Sequence, residues 1–154
     1  MSRLRLIVAL WIIPLSAFAQ TKTRIIPEGW LPALAPAIKT ALDHLREANS
    51  QNEMNKLSRE VADMTDAQLF IAYVRLYEKL SPKERENLVA EQTAWLKKRP
   101  AAARKGVESE GGSLAPLEAN NAELTYTEKR LAELRARLKT SSTSAKKKAA
   151  DEDE

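Results

Sequence analysis

Between Met54 and Leu80 the apolar residues hold to one spacing, and that spacing leaves the chain little choice of fold. Met54, Leu57, Val61 and Met64 fall on a single stripe, which Leu69, Tyr73, Leu76 and Leu80 continue. Steps of three and four put side chains on one face of an α-helix, whereas a half-buried strand alternates apolar and polar residues. The stretch predicts one long helix, with a bend expected near Thr65 and Asp66. Ser50 to Glu53, just ahead of it, is a capping-box pattern: a serine oxygen for an orphan N–H, and a glutamate that reaches back.

The same period recurs on both sides. Pro36 suits the first turn of a helix, and Ile38, Leu42 and Leu45 carry its apolar face to about Asn49. Ser81 to Glu84 repeats the start signal, with Pro82 at the first helical position. Leu88, Gln92, Trp95 and Arg99 then share a face, with Val89 and Leu96 beside it. Pro100 disfavours helical geometry at Arg99, so a stop or a kink is expected there. Gly106 and Ser109 to Ser113 read as a flexible loop. From Leu117, the residues Asn121, Leu124, Glu128, Leu131, Leu134 and Leu138 describe a last amphipathic helix. No strand signal or internal repeat stands out. The expected fold is all-α, a small antiparallel helical bundle with a disordered C-terminal tail.

Arg3 and Arg5 precede an apolar run from Leu6 to Leu15, and Ala17 and Ala19 supply the small residues of a cleavage site. The run is about half the ~20 residues that a membrane-spanning helix needs. Residues 1–19 are therefore expected to be a signal peptide cleaved after Ala19, giving a periplasmic or secreted protein with no stable membrane insertion. The chain has no cysteine, so lipid anchoring through a lipobox is excluded. Residues 20–36 hold Pro27, Gly29, Pro32 and Pro36 and are expected to form an extended entry segment, with Trp30 and Leu31 tucked against the body. Residues 37–138 are the helical domain. Residues 139–154 separate a lysine block from an acidic block without apolar periodicity, and make the tail.

Cleavage leaves 154 − 19 = 135 residues, enough for one small domain. It also removes two arginines, so the net charge falls from +4 to +2. That is far from the clustered basic face of a nucleic-acid-binding protein, and no nucleic-acid partner is expected. Exported domains of this size often rely on disulfides. Here stability must come from helix packing alone. His44 is the only histidine and falls on a polar helix face, where it reads as solvated. No converging donor set suits a metal, and no nucleophile, base and orienter come together. No cofactor, metal or catalytic residue is expected. The chain reads as a binding protein rather than an enzyme.

Three blocks give that reading a direction. Ser50 to Leu80, "SQNEMNKLSREVADMTDAQLFIAYVRLYEKL", comes first, with Met54 and Tyr73 at motif positions. "EQTAWLKKR" follows, with Gln92, Trp95 and Arg99. "GGSLAPLEANNAELTYTEKRLAELRARL" is the third, with Thr125, Arg130, Glu133 and Leu134. In this order they resemble the LprI-type lysozyme inhibitor family of exported bacterial proteins, over about residues 42–138. Members of that family usually carry cysteines at places that hold Leu57, Ala101 to Ala103 and Asn120 to Ala122 in this chain. The resemblance implies a lysozyme-inhibitor-like binding protein that protects the cell wall, its partner a lysozyme or another envelope protein. The alternative is a periplasmic structural or protein-interaction module without lysozyme activity.

Blocking a glycosidase whose two carboxylates flank a cleft calls for a protruding segment. The loop Val107 to Ser113 is the candidate, with Glu108, Ser109, Glu110 and Ser113 as partner-binding residues. An ordinary connector is its plainer reading. Met54, Tyr73, Gln92, Trp95, Arg99, Thr125, Arg130 and Leu134 are taken as structural. Trp95 is expected to anchor the core, its N–H on Gln92 or a backbone carbonyl. An exposed hot spot is the competing reading of that ring.

Overall fold

The computed structural model describes residues 25–26, 34–109 and 111–151, with side chains as far as Ser141. It has four helices: α1 (Leu34–Glu47), α2 (Gln51–Lys79), α3 (Pro82–Lys105) and α4 (Ala115–Asp151). Among the described residues there is no strand, and the all-α expectation holds. Cross-helix bonds give the directions. Asn120 bonds Ser58, Glu123 bonds Arg59 and Arg135 bonds Gln68, so α2 and α4 run the same way. Arg99 on α3 reaches Asp66 on α2 and Glu123 on α4, while Arg130 reaches back to Gln92. α3 therefore runs antiparallel to both α2 and α4, and α1 packs on α2.

The core lies where α2, α3 and α4 meet. Leu69, Ala72, Leu76, Leu88, Leu131 and Leu134 are buried together, with Tyr73, Tyr77, Leu80, Trp95 and Leu138 packed against them. Each leucine removed from water contributes roughly 1.5–3 kcal/mol. The buried face of α2 is Ser58, Val61, Ala62, Thr65, Leu69, Ala72 and Leu76, a stripe that alternates large and small side chains. Met54, Leu57 and Met64 flank it half-buried. The small residues let α4 come close to α2, which a purely apolar reading of the period overlooks.

Both start signals work. The Ser50 oxygen accepts from the Glu53 N–H at 3.2 Å, while the Glu53 carboxylate turns back to the Asn49 N–H at 3.3 Å. Glu84 accepts from the N–H and the hydroxyl of Ser81, at 2.9 and 2.6 Å.

The helix limits can be compared with expectation at four places. The helix expected from 37 begins at Leu34, so residues 34–36 belong to α1 and not to the entry segment. Pro36 still falls in the first turn, where no intrahelical N–H is needed. At Thr65 and Asp66 the helix is uninterrupted, and the Thr65 hydroxyl donates to the Val61 carbonyl at 2.9 Å. α3 passes through Pro100 to Lys105. Pro100 and Leu96 are both exposed, so the carbonyl that the proline leaves unpaired turns towards water, and Ala101 to Ala103 favour continuation. α4 keeps a helical backbone as far as Asp151, and among the described side chains the last buried one is Leu134 and the last packed on the core is Leu138. Alanine and lysine in the tail are good helix formers, which the missing apolar stripe does not change. The signal-peptide segment, Trp30 and Leu31 lie outside the described residues. Of the entry segment, Ile25 and Ile26 donate their N–H groups to the Glu78 carboxylate.

Candidate functional site

α3 is capped by Gly106, where nothing larger fits: a Cβ there would stand 2.2 Å from the Ala122 Cβ. This close approach brings the C-terminus of α3 against the first turns of α4. The loop between them is held at both feet. On one side the Glu118 carboxylate accepts from the Glu108 N–H at 3.1 Å, the Ser109 N–H at 3.0 Å and the Ser109 hydroxyl at 2.7 Å. On the other, the Asn55 side-chain amide donates to the Ser113 carbonyl at 2.9 Å. These bonds, those of Ser109 first, hold the Glu118 carboxyl below the usual glutamate range.

Between the feet the chain turns on Gly111 and Gly112. Both have φ of +90°, a region that side chains rarely adopt, and a Cβ on either would meet nothing within 4 Å. The tip thus stands clear of the bundle. Glu108, Ser113 and Leu114 are exposed. Beneath the first foot lies an open hollow of about 490 Å³, lined among others by Glu108, Glu118, Asn121, Tyr126 and Lys129.

Of the expected partner-binding residues, Glu108 and Ser113 are placed on the exposed loop, and Glu110 lies outside the described residues. Ser109 differs: its hydroxyl donates to Glu118, so it braces the loop from within. The connector expected to be flexible is therefore tied down on both sides. Sequence reading missed Glu118 and Asn55. Glu118 stands at no motif position, and Asn55, although it lies in the first of the three blocks, has no role assigned to it there. Glu118 acts across nine and ten residues and Asn55 across 58.

The motif residues gather elsewhere, along the seam of α3 and α4. The Gln92 oxygen accepts from Arg130 Nε at 3.1 Å. The Trp95 ring stacks on Tyr126, with centroids 5.2 Å apart, and the Arg99 guanidinium lies over the Trp95 ring at 5.6 Å. Arg99 also pairs with Glu123 at 2.8 Å and with Asp66. Arg59 reaches the same Glu123 at 3.0 Å, so one chain of charges ties α2, α3 and α4. Arg130 is only 8% exposed and further pairs with Glu91 and Glu133. Glu91, despite burial that works against its charge, is held below the usual range by Arg137 and Arg130.

Trp95 is accordingly half-buried against two partners at the edge of the core. The expected bond to Gln92 is not how it is held, because Arg130 takes that oxygen. Met54 and Tyr73 are half-buried, Leu134 fully buried. Thr125 is exposed; the hydroxyl that enters the interior is Thr127, at 2% exposure, two residues further on.

A family model described as Lysozyme inhibitor LprI matches residues 42–134, more than half of the 154-residue chain. The chain belongs to the lysozyme inhibitor LprI family. No curated protein and no solved structure matches it significantly. The match contains both feet of the loop, its tip and the α3–α4 seam as far as Leu134. Inhibitors act by binding, and an LprI family member is accordingly not an enzyme. Asn120 donates to the Ser58 hydroxyl at 2.9 Å and to the Asn55 carbonyl at 3.3 Å, and Ala122 closes on Gly106, so hydrogen bonds and a close backbone approach join the helices at this end.

Proposed function

We propose that this LprI protein is exported and protects the cell wall by inhibiting a lysozyme, with the 107–113 loop entering the enzyme's cleft. The observation that carries this reading is the loop itself: fixed at both feet and clear of other atoms at its glycine tip. A helix face is too broad for a cleft that admits a sugar chain, whereas a narrow loop fits one. Glu108, Glu110 and Ser113 supply the contacts, as acceptors for donors that otherwise bind substrate. Export rests on the basic, apolar and small-residue pattern of residues 1–19, with cleavage after Ala19 into the periplasm or beyond. No described helix is long and apolar enough to cross a membrane, which fits release from it. A net charge of +2 after cleavage gives no long-range attraction to a basic enzyme, so affinity must come from local contacts.

One observation favours the second reading, an envelope interaction module. Phe70, Val89 and Leu96 are 63%, 44% and 50% exposed on α2 and α3, on residues the loop does not involve. A turbidity assay of cell-wall lysis separates the two. Glu108, Glu110 and Ser113 changed together to alanine should weaken inhibition at least tenfold, about 1.4 kcal/mol, with melting unchanged. If that variant inhibits like the parent, the contact surface lies elsewhere. If the parent slows no lysozyme, the module reading takes over.

A further inference from the structure

A loop that turns on two glycines is a poor inhibitor unless something fixes its shape. Gly111 and Gly112 permit the tip many conformations, and each residue ordered only on binding costs conformational entropy. Binding improves when that ordering is done beforehand. The first foot of the loop is ordered by one side chain. Glu118 accepts three hydrogen bonds from residues 108 and 109, two of them from backbone N–H groups. It sits in the first turns of α4, which is itself locked to α3 by the Gly106–Ala122 contact. The carboxylate therefore transmits the position of the bundle to the loop. A further bond, from the Gly111 N–H to the Ser109 carbonyl at 2.7 Å, passes that position on to the tip.

We propose that Glu118 is the positioning residue of the inhibitory loop: it presets Glu108 and Ser109, and through Ser109 the turn at Gly111, in the shape that enters the cleft, without touching the target. The inference rests on the reading of the loop as the inhibitory element. It separates residues that meet the enzyme, Glu108, Glu110 and Ser113, from one that shapes them. Ser109 belongs with Glu118, since its hydroxyl and N–H both go to that carboxylate. Asn55 performs the corresponding task at the far foot.

The test uses the full chain and two variants, with backbone amide exchange and inhibition measured side by side. Glu118→Ala should leave helicity intact, abolish protection of the Glu108 and Ser109 amides, and weaken inhibition about tenfold. Glu118→Gln keeps one acceptor oxygen and should restore most of both. An alanine variant whose loop amides stay protected would show that Glu118 does not hold the loop. One that loses protection and still inhibits like the parent would show that preset shape is irrelevant to inhibition. Either result overturns the inference. A parent that inhibits no lysozyme removes the reading beneath it, and the positioning role in inhibition falls with it. The amide exchange then still decides whether Glu118 holds the loop, so the two failures are told apart.

Discussion

The two ends of the bundle are built on opposite principles. At one end Leu69, Leu76, Leu88, Leu131 and Leu134 close a dry cluster, rimmed by Tyr73, Tyr77, Leu80 and Leu138. At the other, α2 and α4 meet through Asn55, Ser58, Asn120, Arg59 and Glu123, and the loop rises from that end. The apolar end gains its stability from area and does not depend on the exact angle of any one group. The polar end gains less per contact, because each bond replaces one with water, but it fixes geometry. Stability and presentation are thus divided along the length of the same helices.

The division is broken most severely at Leu134. This side chain is fully buried, and Leu134→Ala should cost about 3–4 kcal/mol from lost transfer and a residual cavity. Thermal or denaturant unfolding measures it. Below the lowered melting temperature, inhibition should be unchanged, because the loop is anchored at the far end. Loss of inhibition by a folded Leu134→Ala protein would show that the ends are coupled.

Asn120 probes the polar end at a smaller cost. It bridges the nearly buried Ser58 and the Asn55 carbonyl. Asn120→Ala should destabilise by about 1–2 kcal/mol, the usual range for leaving a buried polar group without its partner. It should also weaken inhibition two- to threefold, since Asn55 holds Ser113. A cost as large as that of Leu134→Ala would mean that the polar end carries the fold as well.

The same contrast explains what could be read from the sequence. The apolar end follows from period alone: Leu69, Leu76, Leu88, Leu131 and Leu134 all fall on the expected stripes. Both capped starts were legible too, since a serine and a glutamate three apart satisfy a helix end locally. The polar end was not. Ser58 there, and Thr65, Thr127 and Arg130 further along the helices, are buried, and a polar residue in an amphipathic pattern is normally assigned to solvent. The continuation of α3 through Pro100 depends on the freed carbonyl facing water, which follows only once the buried side of the helix is known. The loop's position was legible from its glycines, but its brace was not, because Glu118 and Asn55 reach it through the fold.

Acid gives the mildest way to separate the ends. Glu118 is held below the ordinary glutamate value of 4.5, first by the Ser109 hydroxyl and then by the backbone N–H groups of Ser109 and Glu108. A carboxyl with a depressed pKa contributes fully above its unfolded value and loses that contribution as pH falls through its folded value. The loop brace should therefore be complete at neutral pH and disappear only below 4.5. The charged side chains that share the hollow with Glu118 are Glu108 and Lys129. Neither supplies one of the bonds that hold it. The apolar cluster itself contains no carboxyl. Glu91, outside it, is despite its burial also held below its ordinary value by Arg137 and Arg130. The contrast therefore lies between the loop and the buried methyl groups, which should persist through the same range. Loop resonances of Glu108 and Ser109, followed by NMR on acidification, should shift while the methyl signals of Leu76 and Leu134 stay fixed. In Glu118→Gln the loop response should vanish, because that side chain does not titrate. If loop and core signals move together in the parent, the two ends melt as one unit, and the division of labour drawn from the contacts is wrong.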